Sequence, residues 1–422
     1  LEFTRRQLAC GLGAAAFSGI AAKSGFAASG LASAMATSNP LPAKLPLRGE
    51  FTTGEYEVCL NNARWHPMSK GSRAAVIAYL DYKQRGIWNP PDMSSAMQGD
   101  VKLAYARLIN ADVAELAYVN STTAGESLFV GTLGFPQAGG NIVTDGLHFE
   151  GSLYLYEAMR QQGMEVRVVR PQDWRIPIAE MAKVIDKNTR LVAFSQVSFI
   201  NGFEQDVKAV CDLAHAHGAL VYVDAVQAVG AIPIDVKASG VDAMGSASYK
   251  WLMGDMGIGF LYVRQEIIPR LKRTQFGYRQ LAEFEYHAFP WDPPGPYPVT
   301  YKPSENAAGL FEIGTYDNAT IAALSYSLPL IHTVGVENIQ AHAQSLLAPL
   351  RTELPKLGYP CITPAESRGP IASFLVSDPK KTAAALKKAN VDVSQSRGRM
   401  RISPSLYNDE SDVQKLLAAL AG

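Results

Sequence analysis

Ala219-Leu-Val-Tyr-Val-Asp224-Ala-Val-Gln227 is an apolar run that ends on a carboxylate. Its β-branched residues and its short length predict a buried strand, Leu220–Val223. Just before it, Asp206–His217 carries the helical stripe Val207, Val210, Cys211, Ala214 and stops at Gly218, which accepts the left-handed conformation of a helix cap. The arrangement recurs on both sides. Strands are expected at Glu115–Val119, Asn141–Thr144, Glu165–Val169, Leu191–Ser195 and Gly259–Val263, several of them separated by helical patterns. Such alternation predicts an α/β fold with a mostly parallel sheet covered by helices on both faces. Ligands of such sheets sit beyond the carboxyl ends of the strands, which puts Asp224 at the ligand edge.

Farther along, Phe289–Pro303 is dense in Pro and aromatic residues and reads as an ordered loop. Helices are expected over Thr320–Val334 and Ile339–Leu354. The C-terminal end reads as a separate lobe, with strands Ile371–Val376 and Met400–Ser403 and helices Lys380–Ala389 and Ser411–Leu420. A chain of 422 residues is long for one compact domain, so a large and a smaller lobe fit it. The charge is balanced, 39 basic against 39 acidic residues without a long run of either sign. This argues against a nucleic-acid footprint or a stable membrane anchor and for a small-molecule substrate.

Thr4-Arg5-Arg6-Gln7-Leu8 opens a weakly apolar, Ala/Gly-rich stretch, and small-residue sites follow at Ala32-Ser33-Ala34 and Ala34-Met35-Ala36. Paired arginines before such a stretch read as a twin-arginine export signal over residues 1–36, with a periplasmic location; a surface helix in a cytoplasmic protein is the alternative. Cys10 falls in that segment. Cys59, Cys211 and Cys361 have no motif spacing, a disulfide framework is not expected, and Cys211 lies on an apolar stripe as a packing residue.

The chemistry gathers around three places. Gly245-Ser-Ala-Ser248-Tyr249-Lys250-Trp251, followed by Gly254-Asp-Met-Gly257-Ile-Gly259, sets a lysine in a small-residue turn before a buried strand. An unpaired buried ammonium is costly, and condensation of the amine with an aldehyde removes that cost. Tyr118-Val-Asn120-Ser121-Thr122-Thr123-Ala-Gly125 supplies a strand, a hydroxyl-rich turn and a helix start able to hold a phosphate. Taken singly, Lys250 reads as a loop lysine, Asp224 as a helix cap and Ser121-Thr122-Thr123 as an N-cap. Together they supply what pyridoxal 5′-phosphate (PLP) chemistry needs: an imine-forming amine, an anion for the pyridine nitrogen and a phosphate cradle.

In this order the motifs resemble the class V aminotransferase family of PLP enzymes, fold type I, which includes cysteine desulfurases, isopenicillin N epimerase and kynureninase. The resemblance runs from about Cys59 to the C-terminus. It implies a seven-stranded, mostly parallel sheet in a large PLP-binding domain, residues 65–325. A smaller α+β domain, 326–422, follows, and an N-terminal segment, 37–64, joins it. Thr122 and Thr123 resemble the phosphate turn. Asp224 and Gln227 resemble the pair at the pyridine nitrogen and the phenolic oxygen, and Ser248-Tyr249-Lys250-Trp251 resembles the lysine segment. Phe311-Glu-Ile-Gly314-Thr315 resembles the segment whose Thr reaches the phosphate of a neighbouring subunit, which implies a homodimer. Arg401, in Arg399-Met-Arg401-Ile-Ser403, resembles the arginine that clamps the substrate carboxylate, a task suited to a bidentate guanidinium. The ring that stacks on the cofactor is His148 or Phe149, with His148 preferred. Asn62, Arg64 and His66 fall where the family's N-terminal segment lines the substrate pocket, and Asn201 falls at a strand end near the phenolic oxygen.

Departures bear on the reaction. Cysteine desulfurases carry a nucleophilic Cys just ahead of the carboxylate-binding Arg, and Val391-Asp-Val-Ser-Gln-Ser-Arg397-Gly-Arg399 has none. Tyr249 precedes the lysine where desulfurases have His. Both place the chain nearer the epimerase-like and C–S-lyase-like members. The expected activity is PLP-dependent chemistry at the α-carbon of an amino-acid substrate: transamination, epimerisation or β-elimination. A desulfurase or C–S lyase, or a non-catalytic binding protein, are the alternatives. No H-E-x-x-H or C-x-x-C spacing suggests a metal site.

Overall fold

The computed structural model describes residues 41–52, 58–85 and 93–422. The expected export segment, residues 1–36, lies outside the described residues. After a 3-10 turn at Arg48–Glu50 come a short strand, β1 (Val58–Cys59), and helices α1 (Lys70–Gln84) and α2 (Met93–Leu108). The large domain then alternates. Its elements are β2 (Leu116–Val119), α3 (Thr122–Thr132), β3 (Asn141–Asp145), α4 (Glu150–Gln161), β4 (Glu165–Val169), β5 (Thr189–Ser195), α5 (Val207–Ala216), β6 (Leu220–Asp224), β7 (Ala243–Ala247) and β8 (Gly259–Val263).

These strands form a seven-stranded sheet in the order β2-β8-β7-β6-β5-β3-β4. Strand β8 runs antiparallel to both its neighbours, and the pairs from β7 to β4 are parallel. Alternate residues of each strand enter opposite layers. Val192, Phe194, Val221, Val223 and Met244 pack in one, and Leu191, Ala193, Tyr222, Ala243 and Leu261 in the other. Each of the buried Val, Leu, Phe and Met side chains among them contributes roughly 1.5–3 kcal/mol of apolar transfer free energy. Register sets Asp224 beside Ser195 on β5 and Gly245 on β7.

Strand β7 was not expected from the sequence. Ala243-Met-Gly-Ser-Ala247 has no β-branched residue, and it is held as a strand because it is buried on both faces between β6 and β8. Its small residues have a purpose: a Cβ at Gly245 would collide with the Tyr222 hydroxyl and lie 3.3 Å from the Thr122 methyl. The close approach brings the start of α3 down onto the sheet.

The expected loop Phe289–Pro303 is corrected at its end. Val299–Pro303 is a strand, β10, paired antiparallel with β9 (Leu281–Tyr286). The alternation Val299, Thr300, Tyr301 favours an extended chain, which the nearby prolines masked. Beyond the hairpin come α6 (Ala307–Phe311), α7 (Asn318–Val334) and α8 (Val336–Lys356). The C-terminal lobe adds β11 (Ala372–Leu375), α9 (Pro379–Lys388), β12 (Val391–Asp392), β13 (Ser394–Ser396), β14 (Arg399–Ile402) and α10 (Glu410–Ala421). Strands β11, β14 and β13 make an antiparallel sheet over its own apolar cluster. The N-terminal segment is stitched to this lobe: β1 pairs with β12, and the Ser403 amide donates to the Leu60 carbonyl at 2.7 Å. Among the described residues no single helix is long and apolar enough to cross a membrane.

Candidate active site

At the carboxyl ends of β5 and β6 a cleft opens, lined by Ser121, Thr122, Thr123, Phe149, Ser195, Val197, Phe199, Asp224, Val226, Gln227, Ala247, Tyr249 and Lys250. The strands deliver Ser195, Asp224 and Ala247. The turn after β7 delivers Tyr249 and Lys250, and the first residues of α3 close the end. That turn is held by Ser248, whose hydroxyl donates to the Ile258 carbonyl at 2.7 Å and also to Asp255.

Lys250 is only 8% exposed. Burial is the main cause that pulls its amine down to about 8, opposed by Asp224 and assisted by Arg401. Asp224 is buried too; burial pushes its carboxyl up, countered by His148 and by the Val226 amide, which donates to it at 2.9 Å. Gln227 is fully engaged, with its amide nitrogen on the Ala63 carbonyl at 3.0 Å and its oxygen accepting from the Trp251 indole at 2.9 Å.

At the other end, Ser121 caps α3 by accepting from the Ala124 amide at 3.1 Å. The amides of Thr122 and Thr123, at the helix start, have no carbonyl one turn back inside the helix. The Thr122 hydroxyl is buried without a partner. A buried orphan hydroxyl costs free energy unless a ligand meets it, and free amides at a helix start favour an anion. The donor set therefore fits a phosphate at α3, an aldehyde at Lys250 and a ring nitrogen at Asp224, which together are PLP.

Arg401 is 7% exposed. Its Nη1 donates to the Phe199 carbonyl at 2.9 Å and its Nε has no partner. Burial first, then Arg399 and Arg64, pull its guanidinium down to about 10. A buried arginine with a free N–H has the donor geometry for a carboxylate, although Arg401 acts on the Lys250 amine without itself lining the cleft.

The remaining candidates fall elsewhere. Of the two rings, Phe149 lines the cleft, while His148 is fully buried and reaches it through Ser195, 2.8 Å from Nδ1. The Asn62 amide nitrogen donates to the Ser403 carbonyl and its oxygen accepts from the Tyr407 hydroxyl at 2.7 Å, joining the N-terminal segment to the C-terminal lobe. His66 Nε2 lies 2.7 Å from the Ser405 hydroxyl, inside the protein. Asn201 donates to the carbonyls of Trp174 and Ile362. Arg64 and Thr315 are exposed, and neither lines the cleft.

Glu126 is the residue that sequence reasoning missed. It lies on α3 behind His148, 1% exposed, with three side chains around its carboxylate. The signal was its spacing from Phe129 and Val130, which puts it on the helix's buried face. A more open depression on the opposite face of the sheet, among Val207, Lys208, Val223, Pro233, Ile234 and Met244, has its lysine engaged by Asp212 at 2.7 Å and no convergent orphan groups.

A parallel sheet of this order with a buried lysine, a strand-end carboxylate and an anion-binding helix start defines a PLP-dependent enzyme of fold type I. Residues 92–416 match the aminotransferase class-V family model, and the chain belongs to that family. An uncharacterized aminotransferase of Bacillus subtilis, YcbU, is 27% identical over 86% of this chain and 92% of its own. Among solved structures, the cysteine desulfurase of Thermococcus onnurineus superposes with a TM-score of 0.79 at 21% identity, over 90% of this chain and 98% of its own. The C-DES variant with glycine covalently linked to its PLP cofactor superposes with a TM-score of 0.76 at 19% identity, over 89% of this chain and 99% of its own.

Proposed function

We propose that this PLP-dependent enzyme acts at the α-carbon of an amino-acid substrate, by transamination, epimerisation or β-elimination, and that no cysteine persulfide relay takes part. The observation that carries the reading is buried Lys250 lining one cleft with Asp224, with a buried Arg401 close enough to act on its amine.

Arg401 receives the substrate carboxylate on its free N–H, and its bond to Phe199 fixes the plane of the guanidinium. The Thr122 hydroxyl and the first amides of α3 would hold the phosphate, and Asp224 would hold a proton on the ring nitrogen. When bound, PLP supplies an electron sink for charge that develops at the α-carbon. Lys250, with its amine lowered to about 8 by burial, is partly neutral near neutral pH and serves as nucleophile, then as acid and base at the α-carbon. Return of the proton by Lys250 to the opposite face of the α-carbon would give epimerisation, its delivery away from the α-carbon would give transamination, and loss of a β-substituent would give elimination.

The desulfurase reading is favoured by fold likeness and by sequence relatives named cysteine desulfurases, 24% and 29% identical. Against it, Val391–Arg399 has no thiol, and Cys361 bridges to Phe374 outside the cleft with its Sγ 3.6 Å from the Thr363 carbonyl. An amino-acid panel, scored for 2-oxo acid, inverted isomer and released ammonia or sulfide, tests the reading. Persulfide as the sole product from cysteine would overturn it.

A homodimer and an exported site of action complete the proposal. Phe284, Tyr286, Phe289, Trp291, Tyr297 and Tyr301 are all exposed on or beside the β9–β10 hairpin, more apolar surface than a monomer ordinarily leaves in water. Thr315, exposed beyond its own cleft, is available to a neighbouring subunit. Export rests on Thr4-Arg5-Arg6-Gln7-Leu8. Fractionation of cells tests it, and protein confined to the cytoplasm with an uncleaved N-terminus would refute it.

A further inference from the structure

Behind the cleft lies a buried polar cluster that the reaction as described does not use. Glu126 Oε2 accepts from the Ser152 hydroxyl at 2.5 Å, and Oε1 accepts from the Tyr156 hydroxyl at 2.6 Å. Oε1 is also 3.3 Å from His148 Nε2. The other imidazole nitrogen faces Ser195, which lines the cleft. Glu126 and His148 are both sealed from solvent.

We propose that Glu126 is a positioning residue that locks His148 as an imidazolium, aiming its second N–H at Ser195 and setting a fixed cation beside Asp224. The geometry requires the Nε2 proton, because Glu126 already accepts from two hydroxyls and offers no proton in return. With Nε2 donating to Glu126, the state of Nδ1 decides the charge. Three buried carboxylates face the ring: Glu126 from α3, Asp145 from β3 and Asp224 from β6. Tyr156 from α4 adds a hydroxyl and Ser195 from β5 another. Lys250 and the Val226 amide act on Asp224, and backbone amides donate to Asp145, whose carboxyl burial pushes up to about 6. Glu126, otherwise held by hydroxyls alone, has His148 as its cationic partner in the low-dielectric interior. Burial works against the imidazolium, and the carboxylates, Glu126 first, outweigh it and raise His148 from its ordinary value. The cation in turn favours ionised Asp224, the state that holds a proton on the ring nitrogen. This last consequence rests on the PLP reading; the charge on His148 does not.

The test is the ¹⁵N spectrum of histidine-labelled full-length protein, recorded with and without added PLP. Comparison with His148→Gln picks His148 out from the seven histidines. At pH 7.5 both ring nitrogens of His148 are expected in the imidazolium pattern, and in Glu126→Gln its titration should fall by about 1 pH unit or more. A neutral tautomer in the unmodified protein, or an unmoved titration in a folded Glu126→Gln, would overturn the proposal. Should that variant fail to fold, Tyr156→Phe keeps the carboxylate and removes a competing donor. His148 must then titrate higher, and an unchanged or lower titration counts against the lock. A chain that bound no PLP would sink the enzyme reading and leave the histidine result standing.

Discussion

Arg401 reaches from the C-terminal lobe to the large domain, where its Nη1 donates to the carbonyl of Phe199 at 2.9 Å. The contact fixes one edge of the guanidinium and leaves Nε buried and unpartnered. It also couples β14 to the segment that follows β5.

Replacing Arg401 with Lys keeps the charge and loses the fork. The KM for the amino-acid substrate should rise about tenfold or more, with a smaller effect on kcat. Steady-state kinetics at fixed PLP measures it. An unchanged KM would remove Arg401 from the carboxylate site.

Asp224→Asn keeps the shape of the side chain and removes its charge. Because the ring nitrogen would lose the anion that keeps it protonated, kcat should fall on the order of 10²-fold or more while PLP still binds. Turnover and a PLP titration check the two halves separately.

Lys250 links function to stability. Its native-state amine is lowered to about 8 against an ordinary 10.5, so between those values the unfolded chain binds the extra proton and stability rises with pH. Below pH 8 the full cost of the buried ammonium is present, roughly 3 kcal/mol by the same linkage. Lys250→Met should therefore raise the Tm of the PLP-free protein at pH 7, and the gain should vanish above pH 10. Thermal melts at the two pH values decide it; equal gains at both would show that the amine's charge is not the cause.

The exposed aromatic hairpin gives a prediction about assembly. Sedimentation should show a dimer, and the double change Trp291→Ser and Tyr297→Ser should shift it toward monomer. A native protein that sediments as a monomer at assay concentration would refute the homodimer.

Much of this fold was legible because long apolar runs ending on Asp224, Ser195 and Val263 carry their own punctuation. Strand β7 was not, since Ala, Met, Gly and Ser show no strand preference and only its neighbours make it one. Thr122, Thr123, Asp224, Gln227, Tyr249 and Lys250, read from separate motifs, line one cleft. Asn62 and Asn201 show the limit of such reading: an amide in a turn can serve a ligand or a backbone carbonyl, and here both join chain segments. Glu126 was hidden for a different reason. A lone glutamate on a helix looks solvated until the helix's packing face is known, and its partners come from β3's following turn and from α4.

The most direct test of the central claim is the visible spectrum of the purified protein with PLP, before and after borohydride, followed by peptide mapping. A yellow band that borohydride abolishes, leaving a pyridoxyl group on the peptide that contains Lys250, is the predicted result. No band, or a pyridoxyl group on another lysine with Lys250 unmodified, would contradict the account.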